Sequence, residues 1–468
     1  MRTRHCLAGA LLAGVMHAVI ATAQQSTPAN TVSALRADPS SASILDSLIQ
    51  RAIVVNPTLH AAHARVDAAR ARVQPASALP DPMLRFGLLN QPLGSMPTAA
   101  GGIAPAGGPS QMTMRMIGVE QTLPYPGKLA LRAKVEEREL DATEASLDAT
   151  RRQIVRDVKG AYYELAFIDQ ALTIVERNRD VLSSLITVSE SRYGVGTGGQ
   201  QDVLKARVEA TRLAETASGL TEQRRAGVAQ LNALLDQPSE TPVPPCVIPA
   251  AIARAAVPAS SDAIHFTSTA FGSRAADSPL RPLEELQALA IQGSPQIREH
   301  LALLAAQSAR VQLAGKAHLP DVDLSLQYGQ RGGGLPDMVS ATVSFPIPVF
   351  KGRKQDQQVA EATAQIAAIE GEHHAMVNSI RADVARLVTE IERERTSLAL
   401  YVKAILPQSR AALTSATASY QVGKVEFLTV LENQATIFTY ETEYFRALTD
   451  VATKVAELER IVGTEVLK

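Results

Sequence analysis

Two groups of residues in this sequence carry side chains that bind metal ions in proteins. One is a set of methionines close together in the chain, whose thioether sulfurs suit Cu(I). Its members are Met83, Met96, Met112, Met114 and Met116. Alternation along a strand would place the last three on one face, where contact with lipid or with a core is a sufficient role. His373 and His374 are adjacent on a predicted helix and point apart, whereas a zinc pair needs a spacing of three or four residues. We therefore expect no metal site.

The sequence also lacks the residues of a catalytic or cofactor site. The run Gly332-Gly333-Gly334 has no following Lys-Ser/Thr and lies between two predicted strands, so we expect a turn and not a phosphate-binding loop. No nucleophile, base and acid form a recognisable set. The net charge is −1 with no long run of one sign, which argues against a nucleic-acid partner. We expect a protein that is not an enzyme and binds no cofactor.

The elements that dominate the chain are two very long helices. The stretch from Lys128 to about Arg192 contains no proline, and apolar residues recur in it every seven positions. These residues are Leu140, Leu147, Ile154, Ala161, Ile168, Val175 and Leu182. A seven-residue repeat is typical of a coiled-coil face, and a helix of this length would extend roughly 95–100 Å. The stretch from Lys351 to about Leu406 has the same character.

The N-terminal residues predict export from the cytoplasm. Arg2 and Arg4 precede an apolar run, and Ala21-Thr22-Ala23 has the pattern of a cleavage site. We therefore predict a signal peptide over residues 1–23, with an N-terminal membrane anchor as the alternative. No later stretch has the roughly 18 apolar residues of a membrane helix. Cys246 would be the one cysteine left after cleavage, which excludes an intrachain disulfide.

The chain contains the same series of elements twice, in the order helix, strand, strand, long helix, hairpin tip, helix. Four pairs of landmarks recur in that order. They are Leu79-Pro80-Asp81 with Leu319-Pro320-Asp321, Pro124-Tyr125-Pro126 with Pro346-Ile347-Pro348, Tyr193-Gly194-Val195-Gly196 with Tyr420-Gln421-Val422-Gly423, and Val203-Leu204 with Val430-Leu431. Such self-similarity indicates a tandem repeat.

The repeat divides the chain into five predicted parts. After the signal peptide, residues 24–43 are expected to be flexible, and residues 237–282 form a proline-rich linker between the repeats. The first repeat comprises residues 44–236, with strands at about 83–90 and 112–123 and a long hairpin at 128–236. The second comprises residues 283–468, with strands at about 321–330 and 338–345 and a long hairpin at 351–463.

The four predicted strands have the length and pattern of membrane strands. They are about 8–12 residues long, alternate apolar with polar or small residues, and contain few charges. A soluble sheet with one buried face is the alternative for any single strand. Four strands cannot close a barrel, and an open edge is unstable in lipid, so membrane strands would require an oligomer. Three copies would give twelve strands. The alternation of the second strand slips near Met116-Ile117, which predicts either a bulge or the end of the membrane zone.

The arrangement resembles the TolC family of outer-membrane efflux proteins over about residues 44–462. The resemblance rests on the tandem repeat, the Leu-Pro-Asp strand entries, the Pro-x-Pro strand exits and the paired glycine tips. It implies a mainly α protein with a small membrane β part. Four strands per chain would form a trimeric 12-stranded β-barrel, continued by a long periplasmic α-helical barrel. The implied partners are a periplasmic adaptor protein and an inner-membrane pump. The run Gln121–Lys128 is similar to members that work with heavy-metal pumps of the resistance–nodulation–division class.

The resemblance also implies roles for residues near the hairpin tips. The family's adaptor-contact motif falls on Val195, Gly196 and Thr197 and on Val422, Gly423 and Lys424. The family closes its tunnel with a polar network above these tips, and by position its members here are Tyr420 and Asp202.

Glu432 matches the second of the family's two acidic rings, while Thr429 stands where the first acid would be and Val425 stands at a basic position. This implies a depleted gate, either a weaker polar latch or an apolar constriction. Glu432 could also be a solvated helix residue. Asp202 could also be a helix N-terminal carboxylate, a role compatible with the gate.

The expected function is therefore that of a duct in the outer membrane, extending into the periplasm, for heavy-metal or multidrug efflux. A type I secretion duct and a structural coiled-coil protein of the envelope are the alternatives. The coiled-coil protein would not explain alternating strands at matched positions in both halves. The sequence does not identify the cargo, because a wide duct selects little.

Overall fold

The computed structural model describes residues 41–89, 114–257, 279–331 and 335–467. The predicted signal peptide, most of the segment 24–43, Met96, Met112 and the glycine run 332–334 lie outside the described residues. Within the described ranges, no helix combines the length and the apolar character needed to cross a bilayer.

Each half of the chain contains two short helices, two strands and a long helical hairpin. The first half comprises α1 (Ser41–Val55), α2 (Pro57–Ser77), β1 (Met83–Leu89), β2 (Met114–Leu123), α3 (Lys128–Gly194) and α4 (Gln200–Leu234). The short helix α5 (Ala250–Ala256) follows. The second half comprises α6 (Leu283–Gly293), α7 (Pro295–Gly315), β3 (Val322–Arg331), β4 (Met338–Ser344), α8 (Gln355–Leu400), α9 (Leu406–Gln421) and α10 (Phe427–Val462).

In both halves, the break between the two short helices has the same structure, a polar N-cap residue followed by proline. Asn56 and Ser294 each precede a proline at the start of the second helix. The Asn56 side chain accepts a hydrogen bond from the Thr58 N–H at 2.9 Å, and the Ser294 hydroxyl accepts one from the Ile297 N–H at 3.3 Å. A polar N-cap followed by proline favours a helix start. The two halves therefore begin with equivalent helix pairs.

The longest element, α3, contains 67 residues and extends about 100 Å. Its heptad positions face neighbouring helices: Ile154, Ile168, Val175 and Leu182 are buried. The helix packs against α2, α4, α7 and α10. The stability of α3 therefore comes from side contacts along its length.

The second long rod is not a continuous α-helix. A single π turn at Tyr401–Ile405 joins α8 to α9, and the Leu406 N–H donates to the Tyr401 carbonyl. Pro407 follows directly. Because proline has no N–H and its ring clashes with the carbonyl four residues earlier, a regular helix is disfavoured here. The π turn lets the rod continue past Pro407.

The four strands form one antiparallel sheet in the order β1-β2-β3-β4. Each residue of β2 from Met114 to Leu123 pairs in sequence with one residue of β3. The bulge expected near Met116-Ile117 is therefore wrong. Met116 pairs with Gly87 of β1 and with Gly329 of β3, and it lies on the polar face of the sheet.

Two large apolar clusters, and a third of three buried residues on α3 (Phe167, Ile168 and Ala171), hold the helices together. The larger one lies around the middle of α3 and joins both repeats, with Val158, Tyr162, Leu231, Leu387 and Val455 among its members. The smaller one lies nearer the hairpin tips and includes residues of α3, α4, α9 and α10. The hairpin tips are therefore positioned by a cluster of their own. Cys246 belongs to the larger cluster, and burial raises the pKa of its thiol to about 12.

Candidate functional site

The sheet has one apolar and one polar face, and the register aligns each in rows. One apolar row comprises Phe86, Ile117, Tyr328 and Val339, and the next comprises Leu84, Val119, Leu326 and Ala341. Phe86 is 74% exposed and Val339 is 69% exposed. A polar row on the opposite face comprises Arg85, Gly118, Gln327 and Ser340. An exposed apolar sheet face of this kind suits contact with lipid.

The two hairpin tips are built by the same turn. Gly196 and Gly423 both have φ of 75°, a left-handed conformation that favours glycine. In the first tip the Thr197 N–H donates to the Arg192 carbonyl at 2.9 Å, and in the second the Lys424 N–H donates to the Ser419 carbonyl at 2.9 Å. This pattern is a Schellman-type helix end.

The residues of the predicted tip motifs point outward. Val195 is 73% exposed and Val422 is 68% exposed. Gly196, Thr197, Gly423 and Lys424 are also exposed. Both tips therefore present apolar side chains that no described residue covers.

A hydrogen bond joins the two hairpins just beside the tips. Tyr420, only 2% exposed, lies on α9, and its hydroxyl donates to Asp202 Oδ2 at 3.3 Å. Asp202 lies in the first turn of α4. The Tyr420 ring packs against Phe427 at a centroid distance of 5.2 Å. Burial and the nearby Asp202 charge raise the pKa of Tyr420. The structure thus brings together the two residues that the resemblance paired.

Arg192 is a member of this cluster that the sequence analysis missed. Its guanidinium carbon lies 4.5 Å from the centroid of the Tyr420 ring, and its Nη2 donates to the Thr197 carbonyl at 3.1 Å. Its Nε and Nη1 are buried without a hydrogen-bond partner among the described residues. The cation of the cluster thus comes from the first hairpin, while Val425, at the family's basic position, packs against the apolar cluster of the tips.

The two tips differ in the burial of their equivalent tyrosines. Tyr193 and Tyr420 occupy equivalent positions, yet Tyr193 is 50% exposed whereas Tyr420 is buried. The preceding residues are Arg192 and Ser419. The second tip therefore supplies the buried ring and the first supplies the guanidinium that covers it.

Glu432 is not part of this contact cluster. Its side chain is exposed on α10, as is that of Thr429. A buried carboxylate that joins the hairpins farther from the tips is Glu441, which is 5% exposed. Glu441 accepts from Arg410 of α9 at 2.8 Å and from Arg177 of α3. Glu441, Arg410 and Arg177 were not among the residues predicted from the sequence.

The two histidines considered for a metal site are neighbours on α8. His373 and His374 have ring centroids 6.0 Å apart. In the part of the chain that the structure describes, no three His, Cys, Asp or Glu side chains are close enough together to hold a metal ion.

Comparisons with known proteins give one family and one fold. A family model described as "Outer membrane efflux protein" matches residues 48–237 and 286–464. The cobalt-zinc-cadmium resistance protein CzcC of Cupriavidus metallidurans is 22% identical over 447 residues, which cover 95% of each chain. The structure of the outer-membrane channel OprN is similar with a TM-score of 0.72 at 19% identity, over 90% of each chain.

A second solved structure, that of CusC, has a TM-score of 0.71 at 17% identity, over 90% of this chain and 92% of CusC. At such identities these structural likenesses establish the fold alone.

Proposed function

Because the chain belongs to the outer membrane efflux protein family, we propose that it is the outer-membrane duct of a three-part export system whose cargo is heavy-metal cations. The observation that carries the proposal is the family match over both repeats. Heavy-metal cargo is supported by CzcC, which is named for cobalt, zinc and cadmium resistance and matches over 95% of each chain. Energy for export would come from an inner-membrane pump of the resistance–nodulation–division class.

The duct is proposed to be a homotrimer. Both edge strands, β1 and β4, have no further strand beside them in the sheet of the described chain. An unpaired edge in lipid is costly, since no water is present to satisfy its N–H and C=O groups. Three four-stranded sheets would close a barrel of twelve strands. The exposed row of Phe86, Ile117, Tyr328 and Val339 would then contact lipid, and the polar row would line the lumen.

The hairpin tips are proposed to meet the periplasmic adaptor. They are the ends of the rods farthest from the sheet, and Val195 and Val422 are exposed there. The adaptor-contact residues would be Val195, Gly196, Thr197, Val422, Gly423 and Lys424. Two adjacent apolar tips per chain offer a surface that a partner can cover.

The cluster of Arg192, Tyr420 and Asp202 is proposed to act as a latch that keeps the tips together. Its contacts join α3, α4 and α9, so parting the hairpins must break them. Glu432 is proposed to face the pore as a ring of three carboxylates. Such a ring would favour the passage of cations, which agrees with a cationic cargo.

Deletion of the gene in its own host tests the cargo. We expect tolerance to Co²⁺, Zn²⁺ and Cd²⁺ to fall and to return with a plasmid copy of the gene, while tolerance to a panel of organic antibiotics is unchanged. Reduced tolerance to the antibiotics alone would contradict metal cargo and favour a multidrug system. No change in either would contradict a role in export.

A further inference from the structure

The segment that follows β4 exposes an unusual combination of apolar and basic side chains. We define the β4 exit segment as residues 345–354. Its apolar side chains are Phe345, Ile347, Val349 and Phe350, and the last three are each at least 73% exposed. Lys351, Arg353 and Lys354 follow immediately and are exposed as well. None of these three cations forms an ion pair with another described residue.

In the equivalent segment after β2, polar groups form hydrogen bonds with other residues of the same chain. Lys128 is buried, and its Nζ donates to the Leu319 carbonyl and to Asp321 Oδ1, both at 2.7 Å. The Tyr125 N–H donates to the same Asp321 oxygen at 2.8 Å. The two strand exits therefore differ. The exit after β2 is hydrogen-bonded to the residues that precede β3, whereas the side chains of the β4 exit segment are exposed.

A cleft of about 380 Å³ lies between the β4 exit segment and the residues that precede β3. Its walls include Ile347 and Phe350 on one side and His318 on the other, with Lys354 also lining it. The Nδ1 atom of His318 is buried without a hydrogen-bond partner among the described residues. The other ring nitrogen of His318, Nε2, lies 3.4 Å from Asp356 Oδ1, and Asp321 also lines the cleft. The cleft thus combines apolar side chains with charged groups of both signs.

The β4 exit segment continues the apolar face of the sheet. Val343, near the end of β4, is 64% exposed, and Phe345 is 57% exposed. The helix α8 begins at Gln355, directly after the segment. With the sheet in the membrane as proposed above, the segment lies where the strands leave the bilayer and the periplasmic rods begin. This inference rests on that placement.

We propose that the β4 exit segment and its cleft bind an anionic phospholipid of the periplasmic leaflet. Ile347, Val349 and Phe350 would enter the acyl region, and the phosphate would lie against Lys351, Arg353 and Lys354. Apolar side chains inserted beside lysine and arginine are the usual composition of a surface that binds anionic lipid.

In the proposed trimer a second copy lies beyond β4, but it matches the charge of the β4 exit segment less well than lipid does. A copy that continued the sheet beyond β4 would bring its own β1 edge alongside, and with it the residues that precede β1. Those residues, 73–82, contain one carboxylate, Asp81, to meet three cations. A leaflet of phosphates offers a better charge match, and its acyl chains also match the apolar side chains.

Tryptophan fluorescence can test the apolar part, because the natural chain contains no tryptophan. Three single variants of the full chain are reconstituted into vesicles with brominated acyl chains: Phe350→Trp, Phe86→Trp on the apolar sheet face and Val208→Trp on the exposed side of α4. We expect quenching at positions 350 and 86 and none at 208.

These controls separate the failure of this inference from failure of the proposed function. If Phe86→Trp is not quenched, the sheet is not in the membrane and the proposed function fails with it. If Phe86→Trp is quenched and Phe350→Trp emits at short wavelength without quenching, position 350 is buried against protein, which overturns the lipid site in favour of a second copy.

The headgroup contact has its own matched control. In the Phe350→Trp background, Lys351, Arg353 and Lys354 are changed together to Gln, and the control changes Lys205, Arg212 and Arg225, three exposed cations of α4, to Gln. Quenching is measured while brominated phosphatidylglycerol replaces part of a phosphatidylcholine bilayer. One cation near an anionic leaflet contributes about fivefold in affinity, so we expect the triple variant to lose at least about fivefold of its preference for phosphatidylglycerol.

The control variant should keep that preference. If the triple variant prefers phosphatidylglycerol as strongly as the Phe350→Trp protein does, the assignment of the headgroup site is overturned. The assignment is also overturned if inorganic phosphate abolishes the preference of the Phe350→Trp protein, because the site would then bind free phosphate.

Discussion

At the scale of single residues, the sequence identified one pair at the tips and missed its third member. Tyr420 and Asp202 could be paired because each matches a position of a known motif in its own repeat. Arg192 could not, because its contact depends on how the two hairpins pack, and the position where a cation was sought, Val425, is apolar. Packing between distant segments leaves little trace in local sequence.

The role of Arg192 can be tested by replacing it with methionine. Arg192→Met keeps the aliphatic stem but removes the cation over Tyr420 and the donor to the Thr197 carbonyl. A cation–π contact at a partly exposed site contributes about 0.5–1 kcal/mol, so we expect open time in planar-bilayer recordings to rise several-fold. Arg212→Met, on the exposed side of α4, should behave as wild type. Unchanged open time in Arg192→Met would exclude Arg192 from the latch.

Glu432 is tested by its effect on permeating cations. We expect Glu432→Ala to weaken block of the single-channel current by divalent cations, because a ring of three carboxylates attracts them. Glu222→Ala removes an exposed carboxylate of α4 and serves as the control. A current record identical to wild type would remove Glu432 from the pore.

At the scale of elements, long periodic helices were predictable and their interruptions were harder to place. The heptad of α3 indicated its length because the same positions pack along the whole rod. The alternation of β2 did not predict its register. Met116 is apolar but lies on the polar face, where it pairs with Gly87 of β1 and Gly329 of β3. The π turn at Tyr401–Ile405 was also missed, because the effect of Pro407 falls on the turn before it.

The glycines of the tips should be replaceable only by residues that accept a left-handed conformation. At Gly196 nothing lies within 4 Å of an added Cβ, so strain comes from the backbone alone. A non-glycine residue there costs roughly 1–2 kcal/mol, and Asn tolerates the conformation best. We expect Gly196→Val and Gly423→Val to weaken binding of the adaptor in a pull-down, with Gly196→Asn close to wild type. Full binding by both valine variants would contradict the assignment of the tips.

At the scale of the whole molecule, the predicted fold and family are confirmed. The tandem repeat was decisive, because four landmarks in the same order constrain the topology more than any one motif does. The number of chains in the assembly could not be derived from the sequence as firmly as the fold could. In the proposed trimer, half of the contacts of an edge strand belong to another chain, so the sequence of one chain specifies only that an edge must be covered.

The trimer should be visible in detergent-purified protein. We expect a mass of three chains by sedimentation, and an SDS-resistant band that shifts to a single-chain position on heating, because edge strands paired in a closed barrel are lost only on unfolding. Protein that sediments as a monomer while still binding detergent would contradict the closed barrel.

The π turn before Pro407 has a consequence for how this rod can vary in length. Its extra residue sets the rotational phase of everything that follows on α9, including Tyr420. Since one residue turns a helix by about 100°, inserting or deleting a single residue between Pro407 and Tyr420 would carry the ring away from Asp202 and Arg192. A change of seven residues would rotate it by only about 20°. A change of eleven residues rotates the ring by a similar angle, so indels that preserve the latch are those close to a whole number of helical turns, made equally in the facing helix.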